Sequence, residues 1–403
     1  MEKTMTNTIT DPIIVAGAGH VGLIAALSLA KSGHNVINLG EMPGSSDKRT
    51  TALMMPAIHF LQSVDLWTDI EPHAAPMTTM RILDGTRRLV RSPSVTFEAT
   101  EIGEPAFGYN IANSTLTAVL SDAMKKSTVE HRAVPIVKYD HAGETVLVET
   151  GDGSTLTANA IVAADGRSSL ARDAAGITAR TWSYNQTAVV LSFAHTRDHH
   201  DISTEFHTEY GPFTIVPLQG QRSSLVWVTT PEMAAELLVL DRDELAKRVE
   251  ERMQSMLGAV TIEVAPQSWP LSGLVPTSFA RNRIFLAGES AHVFPPIGAQ
   301  GLNLGIRDVE ALTETLPEDG EDLGSASVIS AYNRKRSPDI LARTGAVDAL
   351  NRSLLSDFLP VQMVRSGGLE LLRAFSPLRS FVMREGLRPG SGFRLSARNA
   401  GQQ

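Results

Sequence analysis

Residues 13–41 leave little freedom in how this chain begins. Ile13-Ile14-Val15-Ala16 is a short apolar run of strand type that stops at Gly17. From His20 to Lys31 the apolar residues Val21, Ile24, Leu27 and Leu29 fall at helical spacing, and Gly33 ends the pattern. Asn35-Val-Ile-Asn-Leu39 reads as a second strand. Strand, helix and strand in that order form a βαβ unit with a parallel pair. A parallel pair is covered on both faces, which commits the chain to a layered α/β core.

The turn between that first strand and its helix is Gly17-Ala-Gly19-His-Val-Gly22. Gly17 permits the tight turn, Gly19 lets a pyrophosphate touch backbone, and Gly22 lets helix and strand pack closely. Glu41 stands nineteen positions after Gly22, at the end of the second strand, where a carboxylate accepts from ribose hydroxyls. An acid there disfavours a 2′-phosphate, so the dinucleotide is FAD or NAD rather than NADP. The bland alternative is a packing turn with a surface glutamate.

Two later segments carry nucleotide-type features. Ala160 to Ala164 is a buried strand that ends in Asp165-Gly166-Arg167-Ser168. Alone this is a generic type I turn, and it gains weight only beside the other two. The run from Arg283 to Asn303 reads as a buried strand (Ile284 to Ala287), a Gly288-Glu289 turn and a loop with Pro295-Pro296. It then enters a helix through Gly298-Ala-Gln300-Gly301. Small residues let a flat ligand approach the backbone. The following helix aims unpaired amides and its positive dipole end at that ligand. Such a place suits a ring that becomes anionic on reduction, which describes a flavin, and the carboxylate of Glu289 can accept from its ribityl hydroxyls.

Bulk properties narrow the rest. The 403 residues suffice for two to three domains, and a net charge of −8 argues against nucleic acid as the main partner. There is no cysteine, which removes disulfides, thiolate metal sites and dithiol chemistry. Met1 to Thr10 lacks the apolar stretch of a signal peptide, and no run approaches eighteen apolar residues. The expectation is a cytoplasmic protein, soluble or peripheral on the inner membrane. His199-His200-Asp201 lies in a polar loop and reads as solvated, so no metal is expected. His292 reads as a structural hydrogen-bonding residue rather than a catalytic one.

Between the nucleotide-type segments the pattern is rich in strands. Residues 50–62 read as a helix, Thr79 to Leu83 and Arg88 to Val90 as short strands, and Asn113 as the cap of a helix carrying Leu116, Leu120 and Met124. A meander follows over residues 135–157, and residues 187–230 alternate like strands with Trp227 in their core. Asp241 to Leu257, residues 303–316 and residues 328–356 read as helices.

The fold class is therefore α/β with an α+β insert: a discontinuous Rossmann-like cofactor domain, an inserted β-sheet substrate domain and a helical C-terminal segment. The expected division gives residues 1–75, 101–178 and 276–345 to the cofactor domain and residues 76–100 and 179–275 to the substrate domain. Residues 346–403 form the tail. Over residues 361–390 the tail carries Arg365, Arg373, Arg379, Arg384 and Arg388 against Glu370 and Glu385, interleaved with leucines and phenylalanines. It reads either as a helix packed on the cofactor domain or as a basic amphipathic helix for a membrane surface or a biosynthetic complex.

The three nucleotide-type elements in this order resemble the FAD-dependent aromatic hydroxylases, the class A flavoprotein monooxygenases, and most of all their ubiquinone-biosynthesis branch. Lys48-Arg49-Thr-Thr-Ala-Leu53, Ser224-Leu-Val-Trp227 and Pro377-Leu-Arg-Ser-Phe-Val-Met-Arg384 extend the likeness over nearly the whole chain. The resemblance implies that Glu41 holds the adenosine ribose and that Arg49 lies near the pyrophosphate or the flavin entrance. It implies that Asp165 anchors a signature also linked to the nicotinamide donor, and that residues Gly298 to Asn303, with Pro296, line the isoalloxazine. The chain departs from the family in having Gly288-Glu289 for the usual Gly-Asp, and Asn113 where an arginine is common.

The implied activity is hydroxylation of a prenylated phenol or benzoquinol by dioxygen through a flavin C(4a)-hydroperoxide, with NAD(P)H as a transient donor. The residues single out no catalytic acid or base. An FAD-dependent isoprenoid reductase or epoxidase, or a flavoprotein subunit without activity of its own, are the alternatives.

Overall fold

A computed structural model describes residues 11–44, 47–86, 92–295, 300–317, 322–355, 367–368 and 370–387. Ile13–Ala16 lies between two parallel neighbours, Ala160–Ala163 on one side and Val36–Leu39 on the other. Ile284–Leu286 adds beyond Ala160–Ala163, and Glu130–Arg132 beyond Val36–Leu39, both parallel. Ala280–Arg281 closes one edge antiparallel. Every residue of the four central strands is buried, which is why, Asn38 apart, they read as continuous apolar runs rather than alternating ones.

Strand order here does not follow chain order. The strands at 160 and 284 join on one side of the first strand and the strand at 36 on the other. Three distant segments therefore emerge side by side at the C-terminal ends of the strands, at Gly17, Ala164 and Ala287. In open parallel sheets that crevice, at the reversal of strand order, is where ligands bind. Helices His20–Lys31 and Asn113–Lys126 pack on this sheet, and the antiparallel meander Ile136–Ala142, Thr145–Thr150, Thr155–Ala158 shares its core through Tyr139, Val146 and Val148.

The second sheet has seven strands in the order Val260–Pro276, Ala179–His195, Arg222–Thr229, Gly211–Leu218, Ile202–Thr208, Thr79–Asp84 and Val95–Glu98. The early hairpin at 79–98 thus completes a sheet otherwise built a hundred residues later, through a parallel pairing with Ile202–Thr208. Phe193, Phe206, Phe213 and Trp227 fill its core with residues from helices Pro231–Val239 and Arg242–Arg252. Trp227 meets Phe213 edge-on at 5.1 Å. A small sheet of Thr50–Met54, Gly108–Ala112 and Ala75–Met77 joins the two bodies.

Several local expectations are revised. Residues 50–62 are not one helix: Thr50–Met54 is a strand paired with Gly108–Ala112, and the helix is Met55–Ser63. The β-branched Thr50 and Thr51 favour the strand, and Pro56 suits a helix start. Asn113 is the first residue of its helix rather than the cap, and its side chain bonds elsewhere. Asp241 caps a shorter helix, Arg242–Arg252, its carboxylate accepting from the Glu244 amide at 2.8 Å. Arg88 to Val90 lies outside the described residues.

The described part of the tail packs. Helix Ser376–Leu387 buries Met383 against Val95, Phe97 and Phe107, and Arg379 pairs with Glu101 at 2.6 Å. Leu371 and Phe375 remain exposed. Arg365 and Arg388 lie outside the described residues. Among the described residues, no helix is long and apolar enough to cross a membrane.

Candidate cofactor-binding site

The three glycines of the first turn differ in why they are glycine. Gly17 has φ +107°, and a Cβ there would overlap the Ala164 carbonyl. A Cβ on Gly22 would overlap the Gly17 carbonyl. Both are dictated by the fold. Gly19 is not: its backbone is extended, and no described atom lies within 4 Å of where its Cβ would be. Helix His20–Lys31 starts at Gly19 without a side-chain cap and without an acid in its first turn. The first amides of the helix are without a side-chain cap and lie beside this open space, the arrangement in which helix starts accept anions.

Buried Asn38 holds this turn in place. Its Nδ2 donates to the Gly17 carbonyl at 2.9 Å and the Val15 carbonyl at 3.2 Å, and its Oδ1 lies 2.8 Å from His131 Nδ1. The sequence signal for it is an asparagine inside the otherwise apolar run Val36-Ile-Asn-Leu39. Gly40 follows with φ +134° against Gly17 and Ala18, and Glu41 stands exposed directly after it.

The second segment touches the first. The Ala164 amide donates to the Ala16 carbonyl at 2.8 Å. One oxygen of Asp165, Oδ2, accepts from the Ala171 amide at 3.1 Å, while Oδ1 is buried with no partner. Burial pushes this carboxyl above the ordinary value, against hydrogen bonds from Ser169 and the Ala171 amide that pull it down. A buried, half-satisfied carboxylate costs stability unless a donor arrives. Hydroxyls of a bound nucleotide are such donors.

The third segment joins both. Ala287 donates to the Ala163 carbonyl at 2.9 Å, and the Ser290 hydroxyl to the same carbonyl at 2.6 Å. Arg172, buried, donates to the carbonyls of Ser290 and Arg167 at 3.1 and 2.9 Å. Gly288 has φ +66°, and a Cβ there would meet Val21 Cγ2 at 3.0 Å. A Cβ on Gly301, near the start of helix Gln300–Thr313, would have no described atom within 4 Å, as at Gly19. Pro296 and Gly298 lie outside the described residues. Asn303 is buried and spent on backbone: it accepts from the Met54 amide at 2.8 Å and donates to the Ala52 carbonyl at 2.7 Å.

Beneath this helix lies a buried ionic network that sequence reading missed. Asp308, fully buried, accepts from the Gly288 amide at 2.8 Å and pairs with His292 and Arg336, each at 2.7 Å. Arg336 continues to Asp339 at 2.8 Å. His292 thus serves structure. Burial alone would raise the Asp308 carboxyl, but His292 and Arg336 hold it below the ordinary range. An Asp eight residues into an apolar helix and an Arg on the next one were visible in sequence, but nothing in their spacing paired them.

A charged rim faces the second sheet. Arg49 binds Asp47 through Nε at 2.9 Å and Nη2 at 2.8 Å, and stacks over Trp269 at 4.6 Å. Asn113 donates to Asp47 at 2.9 Å and accepts from Thr51 at 2.6 Å. Burial works to raise Asp47, but the bonds from Arg49 and Asn113 prevail and hold it well below the usual carboxylate range. Glu289 is paired with Arg167 through two bonds of 3.0 and 3.2 Å, which ties the second segment to the third. A cavity of about 340 Å³ lined by Asp47, Arg49, Thr115, Gln219 and Arg222 lies between this rim and the second sheet.

His199 is not solvated as its polar context implied. Its Nε2 lies 3.0 Å from the carbonyls of both Leu218 and Gly220, and its Nδ1 accepts from the Asp201 amide. It locks a loop, while His200 points to solvent.

Comparison with known proteins agrees with this geometry. A family model described as an FAD binding domain matches residues 10–344. The chain belongs to this family of FAD-dependent monooxygenases. Among its relatives, ubiquinone hydroxylase UbiL of Rhodospirillum rubrum is 31% identical, over 93% of this chain and 89% of the relative. The 3-demethoxyubiquinol 3-hydroxylase of Escherichia coli is 27% identical, over 91% of this chain and 95% of the relative. Among solved structures, p-nitrophenol 4-monooxygenase of Pseudomonas putida shares the fold with a TM-score of 0.77 at 23% identity, covering 96% of this chain and 99% of that one. The FAD-binding monooxygenase fold is the one expected from the three sequence segments.

Proposed function

We propose that this FAD-dependent monooxygenase hydroxylates the aromatic ring of a polyprenylated phenol or benzoquinol intermediate of ubiquinone biosynthesis, with a nicotinamide nucleotide as transient electron donor. The observation that carries it is the open space at Gly19, in a turn whose Gly17 abuts the Ala164–Asp165 backbone and whose helix meets Gly288 through Val21. The names of the two relatives, both hydroxylases of ubiquinone or its precursors, supply the substrate class.

In this reading the amides after Gly19 hold the pyrophosphate, with Gly17 and Gly22 fixing the turn, and Glu41 takes the adenosine ribose. Asp165 accepts from a hydroxyl of the cofactor. Gly288 and Glu289 border the ribityl chain, with Glu289 steadied by Arg167. Gly301 and Asn303, at the start of helix Gln300–Thr313, lie beside the isoalloxazine. Arg49 stands at the entrance, fixed by Asp47 and Trp269. The cofactor domain comprises residues 1–75, 101–178 and 276–345, the substrate domain residues 76–100 and 179–275, and the helical tail residues 346–403.

When bound, FAD supplies two-electron uptake from the donor and activation of dioxygen. The chain positions and shields. The N-terminal turn of helix Gln300–Thr313 offers unpaired amides to negative charge on the reduced ring, where preorganised donors are worth most. The sheet carrying Ser224 and Trp227 is tied to strand Thr50–Met54 through the Thr50–Ser224 hydroxyl bond of 2.9 Å, and in this reading it would shield the bound ring from bulk water. Association of the tail with an anionic membrane surface or a biosynthetic complex belongs to this reading too, through exposed Leu371 and Phe375 beside Arg373.

The test is turnover by purified holoprotein under isotopically labelled dioxygen with a prenylated phenol and NAD(P)H. One labelled oxygen atom in the product is expected. Donor consumption without label in the product would overturn the hydroxylase reading.

A further inference from the structure

A second, half-open space lies away from the charged rim, under the C-terminal helix. Its volume is about 240 Å³, and Met54, Met80, Phe97, Phe107, Leu304 and Met383 line it. Those residues come from the small joining sheet, the early hairpin, helix Gln300–Thr313 and the tail. Two arginines, Arg307 and Arg343, also reach its wall, but their charges are directed to Asp339 at 3.2 and 3.1 Å. The wall is mainly apolar, with Asn303 and these two arginines as its polar members.

We propose that this cavity receives the isoprenoid chain of the substrate. The inference rests on the functional reading above and assigns a part of the substrate to a place in the fold.

Three observations carry it. The cavity adjoins the residues assigned to the flavin ring, because Asn303 lines it and is bonded to the Met54 amide, and Met54 lines it too. A substrate whose ring meets the flavin therefore has an apolar exit for its tail directly alongside. Its volume is below the ~300–1,000 Å³ of a pocket that holds a whole drug-sized ligand. It suits one apolar segment of a larger molecule rather than the molecule itself. Its walls include three methionines, flexible side chains that re-pack around guests of varying length and shape.

The roof is anchored rather than loose. Arg379 on the C-terminal helix pairs with Glu101, and Arg343 donates to the terminal carbonyls of Gly386 and Leu387 at 3.4 and 3.3 Å. These bonds suit the negative end of a helix dipole. Between the anchors Val382 lines the cavity and is 40% exposed, so the apolar path reaches the surface there. A chain longer than the cavity leaves by that route. This gives the C-terminal helix a binding role besides its packing role.

The experiment compares two substrates with the same ring, one bearing a long polyprenyl chain and one a single isoprene unit. KM is measured with holoenzyme. Wild type is expected to favour the long chain by about tenfold or more, as burial of several methylenes requires. Val382→Trp from the roof and Met80→Trp from the opposing sheet each fill the space, and each is expected to erase most of that preference. The two walls are independent, so failure of one variant to fold leaves the other to decide. Equal KM values for the two substrates in wild type, or an unchanged preference in a flavin-loaded filling variant, overturn the inference and leave the hydroxylase reading intact. Hydroxylation of neither substrate overturns both.

Discussion

Val21 occupies the space that Gly305 leaves vacant. A Cβ on Gly305 would overlap Val21 Cγ2, and the backbone of Gly288 lies 3.3 Å from the same point. Helix His20–Lys31 and helix Gln300–Thr313 are far apart in sequence, yet they meet here with no side chain on one side of the contact. That approach brings the two ends of the proposed site together, since each helix has near its start a glycine, Gly19 or Gly301, whose Cβ would meet no described atom.

Gly305→Ala tests this contact. Alanine is favoured over glycine in a helix interior by about 1 kcal/mol, but overpacking a tight contact costs ~1–3 kcal/mol. The clash is expected to win, giving lower stability in urea together with weaker flavin retention. A variant as stable as wild type would show that the helices have room to separate.

Gly19→Val and Gly22→Ala should fail in different ways. Gly19 has extended backbone and open space, so valine is accommodated and the protein folds. Its side chain then fills the cradle, and the purified protein is expected to be colourless. At Gly22 even a methyl group meets the Gly17 carbonyl, so the fold itself loses stability. Thermal denaturation and flavin absorbance, read together, separate the two. Normal flavin content in Gly19→Val would refute the assignment of that turn.

The parts legible in sequence are those with a local signature. The βαβ start, the strand ending at Asp165 and the Gly288-Glu289 segment each combine a buried strand with small or acidic residues at its end, and the sheet places all three together. Residues whose roles depend on distant partners were not legible. Asn38 matters because His131 and the Gly17 carbonyl lie beside it, and Asp308 because His292 and Arg336 do. Residues 50–54 were misread because one long element fitted their apolar content, and only the pairing with Gly108–Ala112 decides for a strand. The small side chains of the first turn also concealed a distinction. Gly17 and Gly22 answer to the fold, whereas no described contact requires glycine at Gly19, which is the position left to the proposed cofactor.

Asp308→Ala should be among the most damaging single changes in the chain. Asp308 is fully buried between His292 and Arg336, and its loss leaves the Arg336 guanidinium, 3% exposed, short of its main counter-charge. Breaking a buried pair from one side costs ~3–5 kcal/mol. The Gly288 amide also loses its acceptor, so flavin retention should fall with stability. Equilibrium unfolding in urea measures the first, and absorbance of the dialysed protein the second. A loss below about 1 kcal/mol would fall within the range of exposed pairs and contradict the network.

Asp165→Asn should stabilise the apoprotein and weaken the holoprotein. Burial raises the folded-state pKa of Asp165 above its unfolded value, so the protonated form is the one that stabilises the fold. That contribution is complete below the ordinary carboxyl value of about 3.9 and is lost as pH rises through the raised value. Above that raised value the apoprotein carries a largely buried charge with Oδ1 unpartnered. Asparagine removes the charge. The gain in melting temperature should be absent in acid, where wild type is protonated anyway, and should grow to a plateau as pH rises through the raised value. With flavin bound the sign reverses, because the carboxylate is then the better acceptor for a ligand hydroxyl. Melting curves of apo and holo forms across pH test both halves. A pH-independent difference in the apoprotein would mean that Asp165 does not titrate there as its burial requires. Flavin affinity equal to wild type would remove it from the cofactor site.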